Sequence, residues 1–205
     1  MNSGADKKIN LDYYNAKIAE YGQDVQALWN SIQSQQVRFK ILSEIGDLNN
    51  RSILDVGCGF GDLYPFLKEQ NVHPKKYVGI DINPQMIAIA RQRLPEVTFE
   101  VKDVLDSELN EEYDYVIGSG IFNVDTPNWE EIAERTISWM YEHSKIGVGV
   151  NFLSDFTTGQ KLSHSHHVNP LSMLDFVLRN LSPRVVMRHD YKSNDFTLYI
   201  YKPFT

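Results

Sequence analysis

The feature that most constrains this chain is a set of three alternate glycines that follows an apolar segment ending in an acid. The segment reads Asp55-Val56-Gly57-Cys58-Gly59-Phe60-Gly61, and apolar residues at helical spacing begin directly after it. This order predicts a strand, a glycine turn and a helix, the opening unit of a doubly wound α/β sheet whose ligands bind at the carboxyl ends of the strands. Glycine suits the turn because a residue without Cβ can turn sharply and let a ligand approach the backbone.

The spacing of these glycines argues against a dinucleotide site. The fingerprint of such sites is Gly-x-Gly-x-x-Gly. Its last glycine would fall at position 62, which is Asp in this chain. A nicotinamide-dependent dehydrogenase is therefore disfavoured, whereas a nucleoside-like ligand remains compatible with the loop.

A second acid stands at the end of the next apolar segment. Residues 76–80 are predicted to form strand two, and Asp81 follows them directly. An acid at the tip of that strand is placed to accept hydrogen bonds from both hydroxyls of a ribose, a charge-assisted bidentate contact.

These segments together resemble the class I S-adenosylmethionine-dependent methyltransferases. Residues 55–61 are similar to the first motif of that family, and residues 78–83 are similar to its second. The resemblance extends motif by motif from Ile53 to about Phe122. It implies a Rossmann-like methyltransferase fold, S-adenosylmethionine as cofactor, and methyl transfer by direct displacement.

The resemblance also implies which residues hold the cofactor. Asp55 is expected near the cofactor's amino group, Asp81 at the ribose hydroxyls, and Asp103 at the adenine amino group. Cys58 is interpreted as a small residue that the turn tolerates, since no base that would activate a nucleophile is evident nearby. The full set of expected cofactor-binding residues is Asp55, Gly57, Cys58, Gly59, Gly61, Asp81, Ile82, Met86, Asp103, Val104, Ser119 and Gly120.

Length and composition limit the remaining possibilities. A chain of 205 residues with 42% hydrophobic and 23% charged residues is typical of one globular domain. The net charge of −7 without a basic stripe argues against a nucleic-acid partner, and the single cysteine excludes a disulfide framework. No signal sequence or long apolar run is evident, so a cytoplasmic protein without a membrane partner is expected, as a monomer or homodimer.

Alternating patterns predict the order of the elements. Residues 1–9 are expected to be frayed, and helices are predicted over 11–21 and from about Asp24 to Ile45. Residues 1–50 would form a helical cap on a core of residues 51–205, within a single domain 1–205. The core is predicted to be a doubly wound, seven-stranded, mostly parallel sheet with one antiparallel edge strand. The predicted strands are 52–56, 76–80, 97–101, 113–117, 145–151, 184–190 and 195–202.

The segment after strand four is the place where the family brings the acceptor to the methyl group. Here it reads Gly118-Ser119-Gly120-Ile121-Phe122-Asn123. It departs from the Asn/Asp-Pro-Pro-Tyr/Phe pattern of enzymes that methylate nucleobase or glutamine amino groups. A small-molecule acceptor, methylated on oxygen or nitrogen, is therefore expected. The residues expected around it are Tyr13, Tyr14, Trp29, Arg38, Phe122, Asn123, Asn151 and His167.

Two alternatives to this function stay open at the level of sequence. A non-catalytic protein that binds S-adenosylmethionine or S-adenosylhomocysteine would keep the cofactor motifs. A protein or RNA methyltransferase is a weaker alternative.

No catalytic residue is fixed by the sequence, since a base is needed only when the acceptor must lose a proton. His189, beside Asp190, and His167 are weak candidates for such a base. The cluster 164–167 contains three histidines. A loop that covers the substrate is favoured over a metal site there, and no metal is expected.

Overall fold

The fold is described by a computed structural model that covers residues 3–106, 111–157 and 165–204. Its centre is a single sheet of seven strands. The strands are β1 (Ser52–Val56), β2 (Lys76–Asp81), β3 (Thr98–Val101), β4 (Tyr113–Gly118), β5 (Ser144–Leu153), β6 (Val185–Arg188) and β7 (Asp195–Tyr201).

The strand order is β3-β2-β1-β4-β5-β7-β6. Strands β1 to β5 pair in parallel, and β7 runs antiparallel to both β5 and β6. The predicted seven-stranded, mostly parallel sheet with one antiparallel strand is confirmed. That strand is β7, and it lies one place in from the β6 edge.

The central strands are apolar on both sides because helices cover both faces of the sheet. In β1, Leu54 packs in the core of one face and Ile53 in the core of the other. In β4, Val116 and Ile117 divide in the same way. All four side chains are fully buried. The β1–β4 centre of the sheet therefore forms a rigid base for the loops at its carboxyl end.

Four helices alternate with the strands. They are α3 (Leu63–Glu69), α4 (Pro84–Arg93), α5 (Trp129–Glu142) and α6 (Pro170–Asn180), after the two helices of the N-terminal segment, α1 (Ser3–Tyr21) and α2 (Ile32–Ser43). The start of α4 follows from its sequence, because Asn83 caps the first turn and Pro84 fits a position that needs no N–H. Among the described helices, none is both long and apolar enough to cross a membrane.

The predicted fraying of residues 1–9 is wrong from Ser3 onward, where α1 begins. The Asp6 carboxylate anchors this first turn. It is 2% exposed, and it accepts hydrogen bonds from the backbone N–H (2.9 Å) and the side-chain amide (2.8 Å) of Asn128. A polar segment without an apolar pattern is thus ordered by one buried contact with the start of α5.

The single helix predicted from Asp24 to Ile45 is also wrong. A short 3-10 helix spans Val25–Ala27, and α2 starts only at Ile32. The break follows from Ser31, whose hydroxyl accepts the Ser34 N–H at 3.1 Å and so caps a new helix. The interruption leaves Leu28 and Trp29 on the wall of a cavity.

Candidate active site

A cavity opens at the carboxyl ends of β1, β2 and β4, under α1. Every expected cofactor-binding residue except Gly61 lines it. The remaining lining residues are Asp6, Lys7, Asn10, Tyr14, Leu28, Trp29, Gln35, Phe39, Val56, Asp62, Ile80, Lys102, Leu105, Ile121, Phe122, Asn123, Val124, Thr126, Trp129, Ile132 and Thr136.

The glycine loop turns back onto the neighbouring strand. The N–H groups of Gly57 and Cys58 both donate to the carbonyl of Ile80, at 2.8 and 3.0 Å. Gly59 has a φ of 55°, and a Cβ there would lie 2.8 Å from Leu28 Cδ1. A left-handed conformation favours glycine at this position, and a side chain there would also displace the Leu28 methyl group. The loop backbone is therefore free to meet a ligand at close range.

Gly61 lies outside the cavity lining. It has a φ of 80°, and a Cβ there would approach the Phe99 ring to 2.6 Å. Packing against β3 accounts for this glycine.

Asp81, at the end of β2, is held by backbone donors. One carboxylate oxygen accepts the Gly59 N–H at 3.0 Å, and the other accepts the Asn83 N–H at 2.8 Å. Burial raises the pKa of the Asp81 carboxyl, and these hydrogen bonds oppose the rise. Each oxygen keeps a further lone pair. The group can thus receive two more donors, as a pair of ribose hydroxyls would supply.

Asp55 has a different environment. It is 2% exposed, and the Tyr77 hydroxyl donates to it at 2.6 Å. Burial raises the pKa of the Asp55 carboxyl, the Tyr77 hydrogen bond opposes the rise, and the charges of Asp81 and Asp62 add to it. Together these effects place the pKa at about 7. A nearby cation would favour the ionised form.

Carboxylates outnumber cations on the described lining. Asp6, Asp55, Asp62, Asp81 and Asp103 face two lysines, Lys7 and Lys102. A ligand with cationic groups fits such a cavity better than an anion. S-adenosylmethionine carries a sulfonium and an ammonium, so the carboxylates of the lining fit this cofactor.

The N-terminal helix contributes residues that the sequence motifs do not indicate. Lys7 Nζ lies 2.8 Å from the Asp103 carboxylate, and Asn15 accepts a hydrogen bond from the Asn83 side chain at 2.8 Å. Asp6, Lys7 and Asn10 line the cavity. These residues were missed because a polar stretch gives no apolar period, and only the contact across the fold identifies them.

The residues expected around the acceptor fall into two groups. Tyr14, Trp29, Phe122 and Asn123 line the cavity, whereas Tyr13, Arg38, Asn151 and His167 do not. The Tyr13 ring packs edge-on against that of Tyr14, with centroids 5.1 Å apart.

Asn151 and Arg38 lie outside the cavity, in contact with lining residues. The Asn151 side-chain carbonyl accepts the Gly120 N–H at 2.7 Å, so it supports the loop after β4 from β5. Arg38 forms a buried ion pair with Asp195 at 2.8 Å. Both residues contact groups of the lining without reaching the cavity.

None of the histidines in the described part of the chain is a lining residue of the cavity. His189 Nε2 is 2.8 Å from the Ser154 hydroxyl, and His167 Nδ1 is 3.1 Å from the Ser165 carbonyl. His164 lies outside the described residues. Within the described ranges, no cluster of three or more histidine, cysteine, aspartate or glutamate residues could hold a metal.

His166 was not among the predicted site residues. Its ring stacks on Trp129 with centroids 3.9 Å apart, and its Nδ1 is 2.8 Å from Asp125. Because Trp129 lines the cavity, His166 supports that wall from outside. No pattern in the sequence distinguishes it from His167.

Cys58 lines the cavity, but burial raises the pKa of its thiol well above the usual value, and the neighbouring carboxylates of Asp55 and Asp81 add to the effect. A neutral thiol is a poor nucleophile. The side chain thus serves as a small apolar group of the loop.

The chain shares sequence with known methyltransferases. A family model described as a methyltransferase domain matches residues 53–142. Rv1506c of Mycobacterium tuberculosis, described as a methyltransferase, is 31% identical over 157 residues, which cover 74% of this chain and 93% of that protein. The malonyl-acyl-carrier-protein O-methyltransferase of Acetivibrio thermocellus is 35% identical over 122 residues, or 57% of this chain and 40% of that protein.

The fold is shared with solved structures. The crystal structure of magnesium protoporphyrin IX methyltransferase from Synechocystis PCC 6803 with bound S-adenosylmethionine aligns with a TM-score of 0.69. The alignment covers 97% of each chain at 21% identity.

Proposed function

The chain belongs to the class I S-adenosylmethionine-dependent methyltransferase family, and from this premise we propose that it methylates a small-molecule acceptor on an oxygen or nitrogen atom. The observation that carries the proposal is the aromatic lining of the cavity. Aromatic side chains of the N-terminal segment and of the region after β4 contribute to it together: Trp29, Phe39, Phe122 and Trp129. A concave site with an aromatic lining suits a molecule of metabolite size.

Of the acceptors named for two similar proteins, magnesium protoporphyrin IX is a small molecule, whereas the malonyl group is carried on a protein. The Acetivibrio relative is named for a malonyl group on acyl-carrier protein, and the Synechocystis structure for magnesium protoporphyrin IX. Both names specify acceptors other than nucleic acid.

Three acids would hold the cofactor. Asp81 would accept the ribose hydroxyls, Asp103 the adenine amino group, and Asp55 would face the ammonium group. When bound, S-adenosylmethionine supplies a methyl group that its sulfonium already activates. The work left to the chain is to align the acceptor at a near-attack distance of roughly 3 Å and to exclude water.

The lining offers little to remove a proton from the acceptor. None of the histidines in the described part of the chain lines the cavity. Burial raises the pKa of the Tyr14 hydroxyl, so it remains a donor near neutral pH. Each lining aspartate has a partner: Asn128 for Asp6, Tyr77 for Asp55, Arg93 for Asp62, backbone N–H groups for Asp81 and Lys7 for Asp103. We therefore expect an acceptor atom that is nucleophilic without help from a base of the chain.

A metabolite screen tests the proposal. The protein is incubated with S-adenosylmethionine and pooled small molecules, and products are identified by mass spectrometry as compounds that gain one methyl group. Asp81→Ala serves as the control, because this variant lacks the carboxylate that is proposed to accept the ribose hydroxyls. Methylated products with the parent protein and none with the control support the proposal. No product from a protein that binds the cofactor would contradict it.

A further inference from the structure

The Trp29 side chain stands at the end of the cavity where methyl transfer is proposed. A Cβ built on Gly120 would lie 2.7 Å from Trp29 Cη2 and 3.1 Å from Asn123 Nδ2. Gly120 belongs to the segment after β4 that meets the acceptor in this family. The indole edge therefore packs directly on the backbone that borders the acceptor.

A residue of β5 holds Gly120 on the side opposite Trp29. Its N–H donates to the Asn151 side chain at 2.7 Å, and Asn151 pairs with Thr197 in the β5–β7 ladder. Gly120 thus lies between a support on β5 and the Trp29 ring. Any movement of that ring changes the space available to an acceptor.

Two groups hold the Trp29 ring in place. Phe39 packs edge-on against it, with centroids 6.1 Å apart and planes at 82°. The Arg38 guanidinium lies over the indole, with Cζ 5.1 Å from the ring centroid. A planar cation on an aromatic face is an attractive contact that also restricts the orientation of the ring.

Arg38 is itself fixed from several directions. Its Nη2 lies 2.9 and 2.8 Å from the two Asp195 carboxylate oxygens. Its Nη1 donates to the backbone carbonyl of Ser34 at 2.9 Å and to the Ser34 hydroxyl at 2.5 Å. The side chains of Arg38 and Asp195 are 7% and 0% exposed. The guanidinium therefore has one orientation.

A buried ion pair of this kind is poorly explained by stability alone. The loss of hydration on burying two charges can exceed the attraction between them, so an apolar pair of similar volume often serves stability as well. What an apolar pair cannot supply is a planar group held in a defined orientation. Asp195 begins β7 and pairs with Leu153 at the end of β5, close to Asn151. The Arg38–Asp195 pair, called the clamp below, thus connects Trp29 to the β5–β7 strand pair, which also supports Gly120 through Asn151.

We propose that Arg38, held by Asp195, is a positioning residue that fixes the Trp29 indole against Gly120 at the methyl-transfer end of the cavity. The proposal rests on the function proposed above, since it gives Trp29 its place beside the acceptor. Arg38 acts through Trp29 and does not touch the acceptor. The clamp couples α2 to β7 and thereby sets the width of the acceptor site.

The test removes both charges of the Arg38–Asp195 pair together, so that neither is left buried without the other. Lys192 Nζ, which lies 3.4 Å from the Asp195 carboxylate, keeps its hydrogen bond to the Ser34 hydroxyl at 3.1 Å. Arg38→Met/Asp195→Asn is compared with Arg179→Met/Asp175→Asn, a matched pair on the exposed face of α6. Acrylamide quenching is measured with and without S-adenosylhomocysteine. The Trp29 signal is isolated by subtracting the Trp29→Phe form of each protein. Cofactor affinity is measured by calorimetry.

In the clamp variant we expect Trp29 quenching to rise by about twofold or more, because the ring gains local freedom. The kcat for methyl transfer should fall by about tenfold to a hundredfold with the KM for S-adenosylmethionine unchanged. The α6 variant should match the parent. Arg38→Lys keeps the charge but lacks the planar group, so Trp29 quenching should stay above the parental value in this variant as well.

A folded clamp variant with parental Trp29 quenching would overturn the proposal, as would a parental kcat. If that variant does not fold, Arg38→Lys gives the quenching comparison, because it keeps a positive charge opposite Asp195 and removes only the planar group. A parent protein that fails to bind S-adenosylhomocysteine would refute the proposed function instead. The quenching of the unliganded protein would still decide whether Arg38 fixes Trp29.

Discussion

At the scale of single residues, Asp55 and Asp81 show how neighbouring strand ends give two carboxylates different properties. Asp81 accepts two backbone N–H groups, which fix both oxygens. Asp55 accepts a phenol hydroxyl in a buried position near two other acids, and its pKa rises to about 7. The first is suited to directed hydrogen bonds, and the second to a cation whose arrival favours ionisation.

Asp81→Asn tests the ribose contact. The amide removes the charge and turns an N–H donor toward either Gly59 or Asn83, where backbone donors already point. We expect S-adenosylhomocysteine to bind more weakly by roughly 1.5–3 kcal/mol. Calorimetry against the exposed control Asp175→Asn measures this difference. An affinity within about twofold of the parent would remove Asp81 from the site.

Asp55→Asn tests the raised pKa of the carboxyl. In the parent, the folded-state pKa of about 7 lies above the unfolded value near 4. The native state then binds more protons between these values, so the contribution of Asp55 to stability is fully present below pH 4 and is lost as pH rises through 7. Asn keeps an acceptor for Tyr77 without this dependence. The free energy of unfolding of the variant relative to the parent should therefore rise between pH 5 and 8, by on the order of 3 kcal/mol.

Urea unfolding of the cofactor-free proteins at several pH values measures this difference in the free energy of unfolding. Asp175→Asn, at an exposed position, is the control and should show a constant difference from the parent. A constant difference for Asp55→Asn as well would mean that its carboxyl is ionised throughout this range.

At the scale of elements, two left-handed glycines have different surroundings, one in the glycine loop and the other directly after α1. Gly59 has a φ of 55° with Leu28 at 2.8 Å from its absent Cβ, whereas Gly22 has a φ of 62° and nothing within 4 Å. Alanine at either position should cost about 1 kcal/mol of stability through backbone strain. Gly59→Ala should in addition weaken S-adenosylhomocysteine binding by about tenfold or more, and Gly22→Ala should leave it unchanged. If the two folded variants bind S-adenosylhomocysteine equally well, the glycine loop is only a structural turn.

The N-terminal helix is the second element that can be tested. It lines the cavity, and Lys7 contacts Asp103 of the proposed cofactor site. Asn15 contacts Asn83, whose backbone N–H donates to Asp81. Deletion of residues 1–22 should therefore abolish methyl transfer and also weaken cofactor binding by about tenfold. Lys8→Ala is the control, because Lys8 pairs only with Asp12 of the same helix. Turnover that survives the deletion would show that α1 is not part of the active site.

At the scale of the whole molecule, the core was predictable because its signals are local. The start of α4 follows from Asn83 and Pro84. The order of strands and helices follows from alternating apolar segments. The placement of Asp55, Asp81 and Asp103 at one edge of the sheet follows from the parallel topology, since the carboxyl ends of such strands meet there.

The N-terminal segment was not predictable in the same way, because its order depends on contacts between distant residues. Asp6 meets Asn128 across 122 positions, and Arg38 meets Asp195 across 157. Neither partner has an apolar period or a motif that would indicate the other. Arg38 was therefore expected beside the acceptor, whereas its guanidinium lies behind Trp29.

The central claim is that the chain transfers a methyl group from S-adenosylmethionine to a small molecule. The most direct measurement supplies the cofactor with a tritiated methyl group together with a cell extract divided by mass into metabolites and macromolecules. The account predicts that tritium appears in the metabolite fraction with the parent protein and is absent with Asp81→Ala. Tritium in RNA or protein instead, or no transfer by a protein that binds the cofactor, would contradict it.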